Sequence, residues 1–192
     1  MLSFTMKFVA KKDLVIPTKR GKKKGDNGKV LIIGGSEDYV GALTLAGIAA
    51  LRAGVDWVTV ACPEKVGWAV HALSADLVVK KFSGKHFTLS HTKKLLALEK
   101  DFDAVLIGNG IGIKASKMVK SFVKRSKKPL VVDADGVKAI SLQDVSNGIL
   151  TPHKGEFKQL LKNSKLALDG FEKNLGRNVL VLKGAVDTIY VD

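Results

Sequence analysis

The 192 residues suffice for one domain with a sizeable core and are few for two. With 46% hydrophobic and 26% charged residues the chain reads as globular, which excludes the disordered class. A formal net charge of +14 leaves nucleic acid, anionic membrane and polyphosphate ligands to be weighed as partners. The longest apolar run, Thr44 to Leu51, is interrupted by Gly47 and is too short to span a bilayer. The N-terminus lacks the apolar core and small-residue cleavage site of a secretory signal, and Met6 offers an alternative start. Cys62 is the single cysteine, so no internal disulfide forms, and a cytoplasmic protein is expected.

In chain order, short apolar runs rich in β-branched residues predict strands at Val30 to Ile33, Trp57 to Ala61, Ala104 to Ile107 and Leu130 to Val132. Three more follow at Ile149 to Leu150, Val179 to Leu182 and Thr188 to Tyr190. Helical patterns fall between them at Ala42 to Ala53, Lys65 to Leu73, Thr92 to Leu98, Lys114 to Arg125, Lys154 to Leu161 and Leu166 to Leu175. Continuous apolar strands alternating with helices imply parallel crossovers, so the expected class is α/β with a doubly wound layered sheet. No repeat or linker divides the chain, and one domain over residues 1–192 is expected.

Much of the positive charge lies in Lys22, Lys23 and Lys24 and in the stretch from Lys114 to Lys128. Lys114, Lys117, Lys120 and Lys124 recur at helical spacing opposite Met118, Val119, Phe122 and Val123, the pattern of an amphipathic helix with a solvated face. No aromatic residue interleaves with them as a stacking platform. No nucleic-acid or membrane partner is expected.

Ligands of open parallel sheets bind outside the carboxyl ends of the strands, and five strand ends here carry glycine or polar clusters. Gly34 and Gly35 close the first strand, and Gly41 and Ala42 open a helix whose free amides favour an anion. A tight structural turn explains the same residues. No Gly-Lys-Ser/Thr and no GxGxxG spacing follows. Gly108, Gly110 and Gly112 alternate after another strand, where the backbone can approach a flat or phosphorylated ligand. Asp133 and Asp135 can bind Mg2+ through water or cap the next helix. Pro152, His153 and Glu156 follow a buried strand; His153 there can bind a ligand or shuttle a proton, and Glu156 can complement the helix dipole. Lys183, Gly184 and Asp187 surround a hairpin turn, where lysine and amides can meet a nucleotide or simply connect two strands.

The ordered set KGDNGKVLIIGGSEDYVGA, AALRAG, GNGIG, DADG, TPHKGE and LKG resembles the NAD(P)H-hydrate dehydratases of the ribokinase-like superfamily, from Lys24 to the last residue. The resemblance implies a hydro-lyase that removes water from hydrated NADH or NADPH with ADP or ATP and Mg2+. Hydroxide leaves poorly, so phosphorylating the hydroxyl supplies a better leaving group, which the ring nitrogen's lone pair helps expel. By similarity Ala42, Gly110 and His153 match positions that contact the hydrated cofactor, and Lys183, Gly184, Ala185, Val186 and Asp187 match the segment that holds the adenine nucleotide. Two departures stand out. Asn109 replaces the proline usual in GPGxG. The family also continues to a GxGD segment that supplies an anion hole and the catalytic aspartate, and no such segment stands before Asp192. The catalytic residue is therefore not assigned. The expectation is a fold truncated at the C-terminus, with little turnover from this chain alone and a homo-oligomer or a partner supplying the missing segment. A ribokinase-like kinase of a vitamin or sugar alcohol, and a non-catalytic nucleotide-binding subunit, are the alternatives.

Overall fold

The computed structural model describes residues 9–13, 21, 23 and 25–192; Met6, Lys22 and Lys24 lie outside the described residues. Eight strands make one sheet: β1 Lys29–Ile33, β2 Trp57–Pro63, β3 Val78–Phe82, β4 Ala104–Ile107, β5 Leu130–Val132, β6 Gly148–Leu150, β7 Val179–Leu182 and β8 Thr188–Tyr190. They lie in the order β3-β2-β1-β4-β5-β6-β7-β8. Every pairing is parallel except the last, β7 with β8. The chain winds outward from β1 to β3 on one side and from β4 to β8 on the other, so the winding reverses between β1 and β4.

The helices are α1 Val40–Arg52, α2 Glu64–Leu73, α3 Thr92–Leu98, α4 Ser116–Val123, α5 Asp135–Ala139 and α6 Lys154–Ser164. Side chains alternate across β1: Ile32 packs with Leu43, Val66 and Val70 of α1 and α2, while Leu31 and Ile33 join Phe122, Phe157 and Leu160 on the opposite face. All three β1 residues are fully buried, as a strand covered on both faces requires. The α1/α2 layer does not reach the far strands. Ile32, Leu106, Val131 and Ile149 are in register across β1, β4, β5 and β6. Exposure along this row rises from 0% at Ile32 to 42% at Ile149.

The α/β class and layered sheet stand as expected, and several elements differ. β3 was not anticipated: VVKKF carries Lys80 and Lys81, charge that suits an edge strand and masks its apolar pattern. α5 is one short turn after β5. The helix expected from Leu166 to Leu175 reduces to a 3-10 turn at Phe171–Asn174. Lys165 ends α6 at φ 56, and Gly170 at φ 80 takes a left-handed conformation that a continuing helix cannot hold. The predicted Lys114 helix begins as a 3-10 turn, with α4 running from Ser116 to Val123. Its lysines are exposed and Met118, Val119, Phe122 and Val123 are buried, the amphipathic arrangement expected.

Candidate functional site

The winding reverses between β1 and β4, and the carboxyl ends of strands beside such a reversal are where sheets wound this way take ligands. Two glycine turns meet there. Gly35 N–H donates to the Asn109 carbonyl at 2.9 Å, and Gly108 N–H to the Ile33 carbonyl at 3.1 Å. Gly108 holds φ +120, and a Cβ on it would collide with the Asp133 carbonyl, so no other residue fits without moving β5. Gly110, at φ +61, faces the start of α1: a Cβ there would lie 2.7 Å from Tyr39 Cβ and 3.4 Å from Ala42 Cβ. Ala42 and Gly110 are thus brought together. α1 begins at Val40, before the predicted Ala42, and no side chain caps it, so its first-turn amides lack a side-chain acceptor.

Asp133, at the end of β5, links four strand ends. Its Oδ2 accepts from Asn109 Nδ2 at 2.9 Å, and its Oδ1 from Thr151 Oγ1 and Lys183 Nζ, each at 2.8 Å. Burial alone would raise the Asp133 pKa, but the hydrogen bonds from Lys183 and Thr151 outweigh it and hold the carboxyl below its ordinary range. Ala134 follows at φ 51, a strained conformation for a residue with a Cβ, worth about 1–3 kcal/mol. This turn aims Asp135 back at the glycine loop, where Oδ2 accepts from Gly112 N–H at 3.2 Å and Oδ1 from Lys138 Nζ at 2.9 Å. The bond to Asp135 raises the Lys138 pKa.

Neither carboxylate caps α5, which corrects that expectation. α5 has no side-chain cap, and both groups already carry an ammonium, an amide or a hydroxyl. Among the described residues no group of three or more His, Cys, Asp or Glu is placed to hold a metal ion. A Mg2+ ion held by protein ligands alone does not fit these residues.

His153 leaves β6 and caps α6. Its Nδ1 accepts from Gly155 N–H at 2.9 Å and Glu156 N–H at 3.3 Å, while Glu156 Oε2 accepts from His153 N–H at 2.9 Å. This reciprocal capping box fixes the tautomer: the lone pair of Nδ1 is engaged and the proton sits on Nε2. The ring is 58% exposed, and its Nε2 lies 3.3 Å from Glu156 Oε1, so the Glu156 carboxylate meets both the backbone N–H and the ring of His153. Glu156 is buried under it and closes the box, beyond the dipole role expected of it. Lys183 N–H donates to the Pro152 carbonyl at 2.8 Å, which sets His153 and Lys183 side by side as a parallel bridge.

Beyond Lys183 the turn is closed by Gly184 N–H donating to Asp187 Oδ1 at 3.0 Å, and Val186 at its tip is 73% exposed. Ala42 and Gly110 on one side and His153 and Lys183 on the other thus lie along the same end of the sheet, linked through Asn109 and Asp133, while Ala185 and Val186 stand out in the hairpin turn. Thr151 and Tyr39 were not singled out by sequence reasoning. Both lie inside quoted motifs, yet nothing in sequence tells that a threonine beside His153 meets an aspartate 18 residues earlier. A concavity of about 530 Å³ lies at the other end of α1 and is lined by Ile48, Leu51, Arg52 and residues 73–76. It holds none of the clustered strand-end groups, so volume is a poor guide here.

A family profile described as NAD(P)H-hydrate dehydratase matches residues 30–192. The bifunctional NAD(P)H-hydrate repair enzyme of Methanothermobacter thermautotrophicus is 36% identical over 203 residues, covering 95% of this chain and 39% of that protein. The ADP-dependent (S)-NAD(P)H-hydrate dehydratase of Nitrosopumilus maritimus is 36% identical over 190 residues, covering 91% and 66%. An ADP/ATP-dependent NAD(P)H-hydrate dehydratase from Bacillus subtilis, co-crystallized with ATP/Mg2+, superposes with a TM-score of 0.68 at 25% identity, covering 91% of this chain and 65% of that one. A ribokinase-like superfamily protein from Enterococcus faecalis shares the fold with a TM-score of 0.73 at 24% identity, covering 92% and 64%. The chain thus spans well under half the length of the bifunctional relatives and about two-thirds of the dehydratases. With the ordered strand-end clusters, the matched profile and the shared sheet agreeing, this chain belongs to the NAD(P)H-hydrate dehydratase family, on a ribokinase-like fold.

Proposed function

We propose that this chain carries the hydrated-cofactor and adenine-nucleotide sites of an ADP- or ATP-dependent NAD(P)H-hydrate dehydratase. The observation that carries the reading is the cluster at the strand carboxyl ends, where Ala42 faces Gly110, His153 stands beside Lys183, and Asn109 and Asp133 link the two pairs. The small residues at 42 and 110 let a flat dihydropyridine ring approach the backbone of the glycine loop. The exposed edge of the His153 ring contacts the hydrated cofactor, with Nε2 held beside Glu156 Oε1 at 3.3 Å. The Lys183 ammonium, with side-chain exposure of 43%, attracts a phosphoryl oxygen, and the turn from Gly184 to Asp187 lies against the nucleotide. Mg2+ supplies charge neutralisation when it enters on the nucleotide's phosphates, since it takes few protein carboxylates and keeps several waters. The whole reaction is phosphoryl transfer to the hydroxyl, then loss of phosphate with return of the dihydropyridine. A cytoplasmic setting suits cofactors of this class; among the described residues no helix is long and apolar enough to cross a membrane.

The test is calorimetry with ADP, ATP and hydrated NADH, each with Mg2+. The expected outcome is binding of an adenine nucleotide that weakens about tenfold or more in Lys183→Ala, the loss of one charge-assisted contact. Failure of both nucleotides and of the hydrated cofactor to bind at millimolar concentration rules the reading out.

A further inference from the structure

We propose that Asn109, acting through Asp133, is a positioning residue that sets how readily Lys183 leaves its carboxylate for a phosphoryl oxygen of the bound nucleotide. This rests on the reading of Lys183 as a nucleotide ligand. Three side-chain donors reach the Asp133 carboxylate beside the Ala134 amide, and the three are unequal. Asn109 Nδ2 on Oδ2 and Thr151 Oγ1 on Oδ1 are neutral side chains seated at the ends of β4 and β6. Lys183 is the charged donor and sits on a side chain 43% exposed. It is the one of the three able to swing toward an incoming ligand.

When Lys183 leaves, the carboxylate remains ionised and half-buried, and its charge is then held by the Asn109 and Thr151 side chains and the Ala134 amide, all neutral. Without Asn109, one oxygen would lose its side-chain donor, and the carboxylate would depend more on the ammonium. Lys183 would then be held more tightly and a phosphoryl oxygen would compete less well. Lys138 does not substitute as a counter-charge, because it is bound to Asp135 at 2.9 Å.

The Asn109 amide shows that this arrangement is enforced. Its Oδ1 is buried and has no hydrogen-bond partner. A flip of the amide would give Oδ1 no relief, since it would set that oxygen against Asp133 Oδ2, two acceptors facing each other. The carboxylate therefore dictates the amide's orientation, and the side chain accepts an unpaired acceptor to keep the bond.

The experiment follows the Asp133 carboxyl carbon by NMR through an acid titration, with ADP–Mg2+ calorimetry on the same samples. In Asn109→Ala the Asp133 pKa should rise by about one unit, the effect of losing one hydrogen bond to a charged acceptor, and ADP affinity should fall about three- to tenfold. Asn109→Asp, which sets a second carboxylate against the first, should shift both further in the same direction. Thr151→Val removes the other neutral donor and should act like Asn109→Ala, which keeps the idea open to refutation if an Asn109 variant does not fold. An Asp133 titration unmoved in all three variants overturns the proposal, as does a shifted titration with ADP affinity lost in Lys183→Ala and unaltered in the Asn109 variants. ADP affinity indifferent to Lys183→Ala would instead sink the nucleotide reading, and the titration arm would still decide the coupling of Asn109 to Asp133.

Discussion

His153 shows how one residue can serve fold and site at once. Its Nδ1 is the N-cap acceptor of α6, a role worth about 1 kcal/mol, while the Nε2–H side of the ring, 58% exposed, lies 3.3 Å from Glu156 Oε1. Replacing it with Ala removes both, so a loss of function in that variant would be ambiguous. His153→Ala should lower Tm by about 2–4 °C in a chain of this size. His153→Asn keeps a cap acceptor and removes the ring. It should hold Tm close to the parent and still weaken hydrated-NADH binding, measured by thermal melting and calorimetry side by side. Equal melting losses in the two variants would refute the capping account.

At the scale of elements, the basic α4 is tied to the rest of the fold through one acid. Asp144 closes a capping box with Ser141 before β6 and receives Lys120 at 3.5 Å and Lys124 at 3.2 Å. Burial pushes its pKa up, but the Ser141 hydrogen bonds and Lys124 outweigh burial and hold it below the ordinary carboxylate value. A depressed folded-state pKa means the group contributes stability above its unfolded pKa, and that contribution is lost as pH falls through the lower folded value. Asp133 follows the same sign. Urea unfolding from pH 6 down to pH 2 should therefore show stability falling steadily below about pH 4. In Asp144→Asn the parent should be the more stable at pH 6, and the gap should close toward pH 2; a gap independent of pH would contradict the assignment.

For the molecule as a whole, the two faces of the sheet are unequally covered. The row from Ile32 to Ile149 runs out from under α1, whereas Val132, one residue beyond Val131 on the same strand, is fully buried on the other face. Val132→Ala should cost about 2 kcal/mol through lost burial and a cavity. Ile149→Lys should change stability by no more than about 0.5 kcal/mol, because the site lets a lysine reach water. Denaturant midpoints of the two variants decide it: a large loss in Ile149→Lys would mean that this half of the face is covered in solution.

Local pattern determined much of this protein. Seven of the eight strands were readable because short β-branched runs such as VLII and LVV, bounded by turn residues, fit a strand better than a helix. The ordered motifs carried the family. β3 escaped because its edge position permits lysines, and the helix expected from Leu166 failed because Gly170 breaks a pattern that periodicity alone would continue. What only the tertiary structure decided is which polar groups meet. Asn109, Asp133, Thr151 and Lys183 span 74 residues of chain, and hydrogen-bonding groups have no periodicity that marks their partners. Parallel winding brought four separate strand ends to one edge of the sheet. There the two aspartates that looked like metal ligands or helix caps became the acceptors of a lysine, a hydroxyl and backbone or side-chain amides.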